Sequence, residues 1–160
     1  MSLRNKIDKG IEYILIALMI ALVADVLWQV AGRYLFTTPS SFTDELAGFL
    51  LIWVGLLGAA YVAGKHEHLA IDLLLQKANA KNKRRYSLAV QACILLFSVS
   101  VMVIGGTYLV ITRFQLMVTS AALEINLGYV YSVLPLSGLF ISYYAIDSMI
   151  SLWQSKPSAS

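Results

Sequence analysis

The chain has 160 residues, of which 59% are hydrophobic and 13% are charged, and its formal net charge is +3. An average soluble domain is about 25% charged, so this composition excludes an ordinary water-soluble domain and indicates a protein embedded in a bilayer. The single cysteine, Cys93, excludes an intrachain disulfide and a paired-cysteine zinc or redox motif.

Four apolar stretches divide the chain. A helix needs about 20 residues to cross the ~30 Å hydrocarbon core, and each stretch is about that long or longer. Only helices that satisfy their own backbone hydrogen bonds cross as separate segments. The sequence therefore predicts an all-α membrane protein, a single integral-membrane domain with four transmembrane helices and short interfacial amphipathic helices. We expect the spans at about residues 13–35, 42–64, 86–112 and 125–150.

The chain begins with an amphipathic pattern. Leu3, Ile7 and Ile11 are spaced by four residues, with charged residues between them. This spacing predicts a short lead-in helix along the membrane surface. The basic start and the apolar run that follows also fit a signal peptide, but no small-x-small cleavage site follows at the right place. We therefore expect an uncleaved first span.

Three polar residues follow one face of the first span: Asp25, Gln29 and Arg33. A carboxylate near the middle of a span is costly and often functional, so Asp25 is a candidate proton carrier in a proton-coupled exporter. The alternative is a polar seam that faces another helix. Because a transport pathway gathers polar groups from several helices and the other spans offer few, the pattern favours the seam.

The second helix begins with a capping box, Ser41-x-x-Asp44, and its first turn carries Asp44 and Glu45, as the positive end of a helix dipole prefers. These carboxylates are predicted to form ion pairs with Arg33 across the first hairpin, or to contact a partner protein. Small residues recur every four positions, which favours close helix packing in lipid. They are Gly55, Ala59 and Ala63 in the second span, and Gly138 and Ser142 in the fourth.

The connection between the second and third spans combines an apolar face with a basic run. Ile71, Leu74, Leu75 and Ala78 share one face, which predicts an interfacial helix at about residues 68–79. Anionic phospholipid headgroups explain the basic residues without a nucleic-acid partner. The headgroup candidates are Lys77, Lys81, Lys83, Arg84 and Arg85.

Two histidines in the same connection raise the question of a metal. His66 and His68 point in directions about 200° apart on a helix, and the chain has no other histidine. A haem held between helices needs histidines within the spans. We therefore expect neither a metal nor a cofactor.

Charge distribution predicts the topology. Ten of the twelve basic residues flank the spans on one side, and only Arg33 and Arg113 fall on the other. The positive-inside bias places both termini and the middle connection in the cytoplasm. The uncharged run at residues 114–123 then lies in an outer connection, where it requires burial in the interface or against another protein. Pro135 predicts a distortion of the fourth span.

Several motifs carry a resemblance to a known family. They are WQVAGRY at residues 28–34, SFTDELA at 41–47 with LIW at 51–53, HEHLAID at 66–72 and LGYVYSVLPLSG at 127–138. In this order, they resemble the small permease subunit of tripartite ATP-independent periplasmic (TRAP) transporters. The sequence departs from the family pattern at Gly48, where arginine is frequent, and at residues 120–124, which replace a proline-rich step.

The resemblance implies a role in a secondary transporter of three parts, located in the bacterial inner membrane. A periplasmic solute-binding protein captures an organic acid of the sialic acid or C4-dicarboxylate class. A large permease subunit moves the acid together with sodium ions, and the small subunit packs against its stationary scaffold. On this interpretation the chain is an interaction protein, and its outer loops at about 37–42 and 114–128 lie where the binding protein docks.

Other functions are less consistent with the pattern. No hydrolase, P-loop, zinc-protease or dinucleotide motif is present, so we do not expect an enzyme. The alternative is a stand-alone four-helix proton-coupled exporter that uses Asp25. An electron-carrying subunit would require bound haem.

Overall fold

The computed structural model describes residues 3–36, 41–65 and 80–154. Helices make up most of these residues, and four helical stretches are long and apolar enough to cross a membrane, which confirms the predicted all-α membrane fold. The predicted interfacial helix at 68–79 lies outside the described residues. The elements are α1 Leu3–Phe36, α2 Ser41–Gly64, α3 Ala80–Phe97, a π-helical segment Ser98–Gly105, α4 Gly106–Gln115, α5 Leu127–Tyr131 and α6 Val133–Gln154.

The amphipathic lead-in is part of the first span. α1 runs without a break for 34 residues, about 50 Å at 1.5 Å per residue. No proline interrupts it, and the polar residues of its first turns bind other helices of the same chain, as described below. The lead-in is therefore continuous with the first span, and its position along the membrane surface stays a prediction.

The long helices pack in a row. Backbones approach closely between α1 and α2, between α2 and α6, and between α6 and α3 with its continuation through α4. The buried share of the apolar part of each span is 0% in the first, 11% in the second, 17% in the third and 39% in the fourth. The fourth span therefore forms the centre of the packing, and α1 lies at an edge.

Small side chains allow the third and fourth spans to approach closely. A Cβ added to Gly138 would lie 2.7 Å from Met102 Cβ, and one added to Gly106 would lie 3.0 Å from Pro135 Cδ. The hydroxyls of Ser98 and Ser142 form a hydrogen bond of 2.8 Å across the same contact. The predicted packing role of Gly138 and Ser142 is thus confirmed inside the chain.

The predicted distortion near Pro135 lies between α5 and α6. Proline lacks the N–H that would bind the carbonyl four residues earlier, which here belongs to Tyr131. α5 ends at Tyr131, Ser132 forms a turn, and α6 begins at Val133. The short helix α5 is capped at its start by Asn126, whose side-chain oxygen accepts a hydrogen bond of 2.8 Å from the Gly128 N–H.

Candidate functional site

Polar side chains of neighbouring helices form hydrogen bonds near both ends of the helix axes. We call the end that contains Arg4, Gly64 and Asp147 the terminal end. The opposite end, where α1, α4 and α5 meet their connections, is called the loop end. Between the two ends, the described contacts among helices are mainly apolar or involve serine.

At the terminal end, the start of α1 reaches across the end of α2 to α6. Arg4 donates through Nη1 to Asp147 Oδ2 at 2.7 Å and through Nη2 to the carbonyl of Gly64. The Tyr144 hydroxyl donates to Asp8 Oδ1 at 2.5 Å. Gly64 is the last residue of α2, where backbone carbonyls have no partner in their own helix, so a cation there is favourable.

Tyr144 is the centre of this terminal cluster. Its side chain is 1% exposed. A Cβ on Gly64 would lie only 2.6 Å from Tyr144 Cζ, so the glycine makes room for the ring. The sequence analysis missed this cluster. The available signal was the spacing of Arg4 and Asp8, one turn apart, which matches that of Tyr144 and Asp147.

Lys65 lies just beyond the end of α2, next to the terminal cluster. The Tyr61 side chain beside it raises the pKa of the Lys65 ammonium above its ordinary value, because a hydrogen bond to Tyr61 favours the charged form. The Lys65 Nζ lies 5.1 Å from the centre of the Tyr61 ring. This lysine therefore stays charged at the membrane surface.

At the loop end, the polar face of α1 turns toward α2. The Gln29 side-chain amide donates to Asp44 Oδ1. Asp25 lies one turn before Gln29 in α1. Its buried Oδ2 has no hydrogen-bond partner among the described residues. Arg33 is exposed. The contact between Gln29 and Asp44 is the one expected of a polar seam between helices.

The predicted ion pairs across the first hairpin are not formed within the described residues. The Asp44 carboxylate accepts from Gln29, and the Glu45 carboxylate is directed to the other connection at the loop end. The single residue step between them turns the two side chains about 100° apart on the helix. Among the described residues, the guanidinium of Arg33 forms an ion pair with neither carboxylate.

Glu45 binds the backbone of the connection between α4 and α5, residues 116–126, which we call the second connection because it is the second one at the loop end. Its Oε1 accepts from the Ala121 N–H at 2.9 Å, and its Oε2 accepts from the Ala122 and Leu123 N–H groups, each at 3.0 Å. Three consecutive amides therefore converge on one carboxylate. Sequence analysis placed Glu45 at the loop end but did not identify its partner.

The second connection is ordered by hydrogen bonds between its two ends. The Ser120 N–H donates to the Ile125 carbonyl and the Leu127 N–H to the Val118 carbonyl, both at 2.9 Å. Two residues, Met117 and Glu124, have φ angles of 48° and 55°. Such left-handed conformations are costly for residues other than glycine, so the surrounding contacts must hold them.

Aromatic side chains join the helices on either side of this connection. The rings of Phe114 and Tyr129 meet edge to face with centroids 5.0 Å apart, and the Trp53 indole N–H donates to the Val130 carbonyl at 3.1 Å. Leu116 and Met117 nevertheless remain 67% and 80% exposed. The apolar run predicted to require burial is therefore only partly buried by this chain.

The predicted small-residue face of α2 is open. A Cβ added to Gly55 would meet no atom within 4 Å, and Ala59 is exposed. Ala63 is half-buried, whereas Leu57 and Ala60 on the opposite side of the helix are buried. The face is thus available to a partner, while its role in binding stays a prediction.

α1 also has an open apolar surface, on the side opposite its polar seam. A shallow groove there is lined by Met19, Ile20, Val23, Ala24 and Leu27. Of the headgroup candidates, Arg85 is exposed, residues 81–84 belong to the backbone of α3, and Lys77 lies outside the described residues. Their role in binding phospholipid stays a prediction.

Comparison with known sequences identifies the class of this membrane protein. The profile of the family described as tripartite ATP-independent periplasmic transporters, DctQ component, matches residues 13–155. The chain belongs to this family, as the motifs predicted. It is therefore one component of a tripartite transporter, and its four apolar helices are those of a multi-pass inner-membrane protein.

Individual relatives agree with this class. The chain is 27% identical over 150 residues to the sialic acid TRAP transporter small permease protein SiaQ of Vibrio cholerae, which covers 94% of this chain and 85% of the relative. It is 29% identical over 97 residues to the C4-dicarboxylate TRAP transporter small permease protein DctQ of the same species, covering 61% of this chain and 42% of the relative.

A third relative is much longer than this chain. The sialic acid TRAP transporter permease protein SiaT of Haemophilus influenzae is 33% identical over 95 residues, which cover 57% of this chain but only 15% of the relative. In SiaT, a segment similar to this chain is therefore joined to a far larger remainder of the same polypeptide.

Proposed function

We propose that the chain is the small membrane subunit of a sodium-driven TRAP importer for a carboxylated solute of the sialic acid or C4-dicarboxylate class. In this proposal it packs against the stationary scaffold of the large permease subunit. Its loop end helps to form the docking face for the periplasmic binding protein. Both termini lie in the cytoplasm.

The open surface of α1 is the observation that carries this proposal. α1 packs its backbone against α2 alone among the described helices, and no residue in the apolar part of its span is fully buried. The exposed Gly55 and Ala59 add a second surface that another helix can approach closely. Lipid tails are as apolar as the helix surfaces, so burial from lipid gives no hydrophobic driving force. Helices in a membrane therefore associate through close packing of this kind. A large membrane partner would cover these surfaces.

The interior of the chain supports a scaffold role over a transport pathway. Buried serines of α6 bond to their own helix: Ser137 donates to the Val133 carbonyl and Ser142 to the Gly138 carbonyl, both at 2.7 Å. Asp25 is the one acidic residue well inside an apolar stretch. A proton or ion pathway requires a continuous series of polar groups, which the described helices do not supply.

The solute class and the coupling ion rest on the family. The named relatives concern sialic acid and C4-dicarboxylates, which both carry carboxylate groups at neutral pH. Sodium coupling follows from the resemblance stated above. The small subunit would contribute no ion or solute site of its own.

Reconstitution in liposomes tests this function. Flux of labelled sialic acid or succinate is measured with an inward sodium gradient for this chain alone, and for this chain with the large permease subunit and the binding protein. We expect flux only from the complete set, and only with sodium. Flux from the chain alone that Asp25→Asn abolishes would establish the exporter alternative instead.

A packing variant tests the scaffold role separately. A Cβ at Gly55 meets no atom within 4 Å, so Gly55→Leu fills the open face of α2, and we expect weaker co-purification with the large subunit. Gly10→Leu is the matched control, since a Cβ at Gly10 also meets no atom within 4 Å and lies outside that face. Equal recovery of the large subunit with both variants would argue against packing through this face.

A further inference from the structure

The contact between Glu45 and the second connection links two parts of the chain that are far apart in sequence. Glu45 lies in the first turn of α2, and its partners Ala121, Ala122 and Leu123 follow 76 to 78 residues later. Hydrogen bonds from amides to a charged acceptor are about twice as strong as neutral ones. One side chain therefore satisfies three backbone donors that no helix or strand of the described chain provides for.

The second connection needs such an anchor because its backbone is not relaxed. Met117 and Glu124 have left-handed φ angles, which are costly in a non-glycine residue. Apart from the bridge between Thr119 and Asn126, the described residues contain no sheet that would fix this segment. The turn at residues 121–123 is fixed from outside, by the Glu45 carboxylate.

The anchored segment lies where a soluble partner would reach it. Turns and bridges are not found exposed to lipid in the hydrocarbon core, so residues 116–126 lie in the headgroup region or beyond. Leu116 and Met117 are exposed there, on a connection whose backbone is held by hydrogen bonds. A surface that is ordered before binding loses less conformational entropy when its partner docks.

We infer that Glu45 is a positioning residue for docking of the solute-binding protein. Its carboxylate holds residues 116–126 in the shape that presents Leu116 and Met117, while Glu45 itself stays bound to the backbone and does not touch the partner. This inference rests on the docking role proposed above. In this inference Glu45 and Asp44 have different roles, although the sequence pattern assigned both carboxylates the same role.

Amide hydrogen exchange tests the positioning step directly. In the assembled membrane complex of small and large subunits, Glu45→Ala should speed exchange at the amides of residues 121–123 by about tenfold, since three bonds are lost. Glu45→Gln keeps one carbonyl acceptor and should give an intermediate rate. Asp44→Asn removes the same charge one residue away and should leave these amides at the wild-type rate. Unchanged exchange in Glu45→Ala would overturn the inference.

Transport by the complete system tests the docking step. We expect Glu45→Ala to raise the half-saturating concentration of binding protein by about fivefold to tenfold, with Glu45→Gln between it and wild type. The maximal rate per incorporated complex should change less, whereas a general folding defect would lower that rate first. Faster exchange with an unchanged half-saturating concentration would overturn the link to docking.

The two readouts also separate this inference from the proposed function. If wild-type flux did not depend on the binding protein, the docking role would fail together with the docking half of the inference. The exchange result would still decide whether Glu45 positions the connection, because it needs no transport.

Discussion

α1 and α6 are both long, apolar helices, yet they have opposite places in the molecule. The apolar part of the fourth span is 39% buried, and Val133, Ser137 and Tyr144 in α6 are almost inaccessible. In the apolar part of α1, no residue is fully buried. The difference follows from side-chain size at the contacts, since α6 offers glycine and serine where α3 and its π-helical continuation approach.

α1 packs its backbone closely against α2, and polar bonds fix it at both ends. At the terminal end, Arg4 and Asp8 bind Asp147 and Tyr144, and at the loop end Gln29 binds Asp44. Between these points the outward side of α1 is an apolar surface without a partner in the chain. α6 therefore stabilises the subunit itself, whereas α1 is available to bind another protein.

The largest effect is expected from removing the buried tyrosine of α6. Tyr144→Ala loses a 1%-exposed ring and its hydrogen bond to Asp8, which should lower the free energy of unfolding by roughly 3 kcal/mol or more. Thermal unfolding of the purified chain in detergent measures this loss. Tyr13→Ala on α1 is the matched control, because Tyr13 is 70% exposed. Similar losses in both variants would contradict the contrast between the helices.

A glycine substitution should give the next largest effect. A leucine at Gly138 must displace Met102 and Val103, whose nearest atoms lie 2.7 Å and 3.1 Å from the added Cβ, and overpacking of this kind costs about 1–3 kcal/mol. Gly32→Leu on α1 meets no atom within 4 Å and should be tolerated. The same unfolding assay applies, and a stable Gly138→Leu chain would argue against close contact of the third and fourth spans.

Loss of the arginine at the terminal end should have a smaller effect. Arg4→Gln breaks the ion pair with Asp147, whose partners are 27% and 40% exposed in their side chains, so only about 1 kcal/mol is expected after solvent screening. Amide exchange near the start of α1 should nevertheless increase, because this tie holds the helix end. Lys6→Gln, at an exposed position two residues later, provides the comparison.

The smallest effect on the chain itself is expected on the open side of α1. Ile20→Ala with Leu27→Ala removes side chains that are 65% and 64% exposed, so stability should change by about 0.5 kcal/mol or less. Recovery of the large permease subunit in co-purification should fall, provided that this surface contacts it. Destabilisation of the isolated chain by this pair would show that α1 has further contacts within the subunit.

Several features of the fold could be predicted from the sequence because they depend on nearby residues. Asp25, Gln29 and Arg33 lie on one helix face through spacing alone, and Gln29 does meet a residue of the next helix. The start of α3 shows the limit of hydropathy. Four of the five residues from Lys81 to Arg85 are charged, so this run does not count toward a span, yet the helix backbone includes it from Ala80 onward.

The polar anchors could not be predicted in the same way. The sequence identified Arg4 only as a positive charge that flanks the first span. Its bonds to Gly64 and Asp147 depend on the start of α1 lying over the end of α2. Glu45 was paired with Arg33 because the two lie close in sequence. Its actual partners belong to a connection more than 70 residues away.

The sequence by itself determined the number of spans, the sidedness of the charges and the family, because hydrophobicity, spacing and motifs are local properties. Only the tertiary structure decided which helices are neighbours and which side chains fasten them. Those choices depend on the fit of distant surfaces, as where Tyr144 fills the space above Gly64 and the Glu45 carboxylate meets three amides of the second connection.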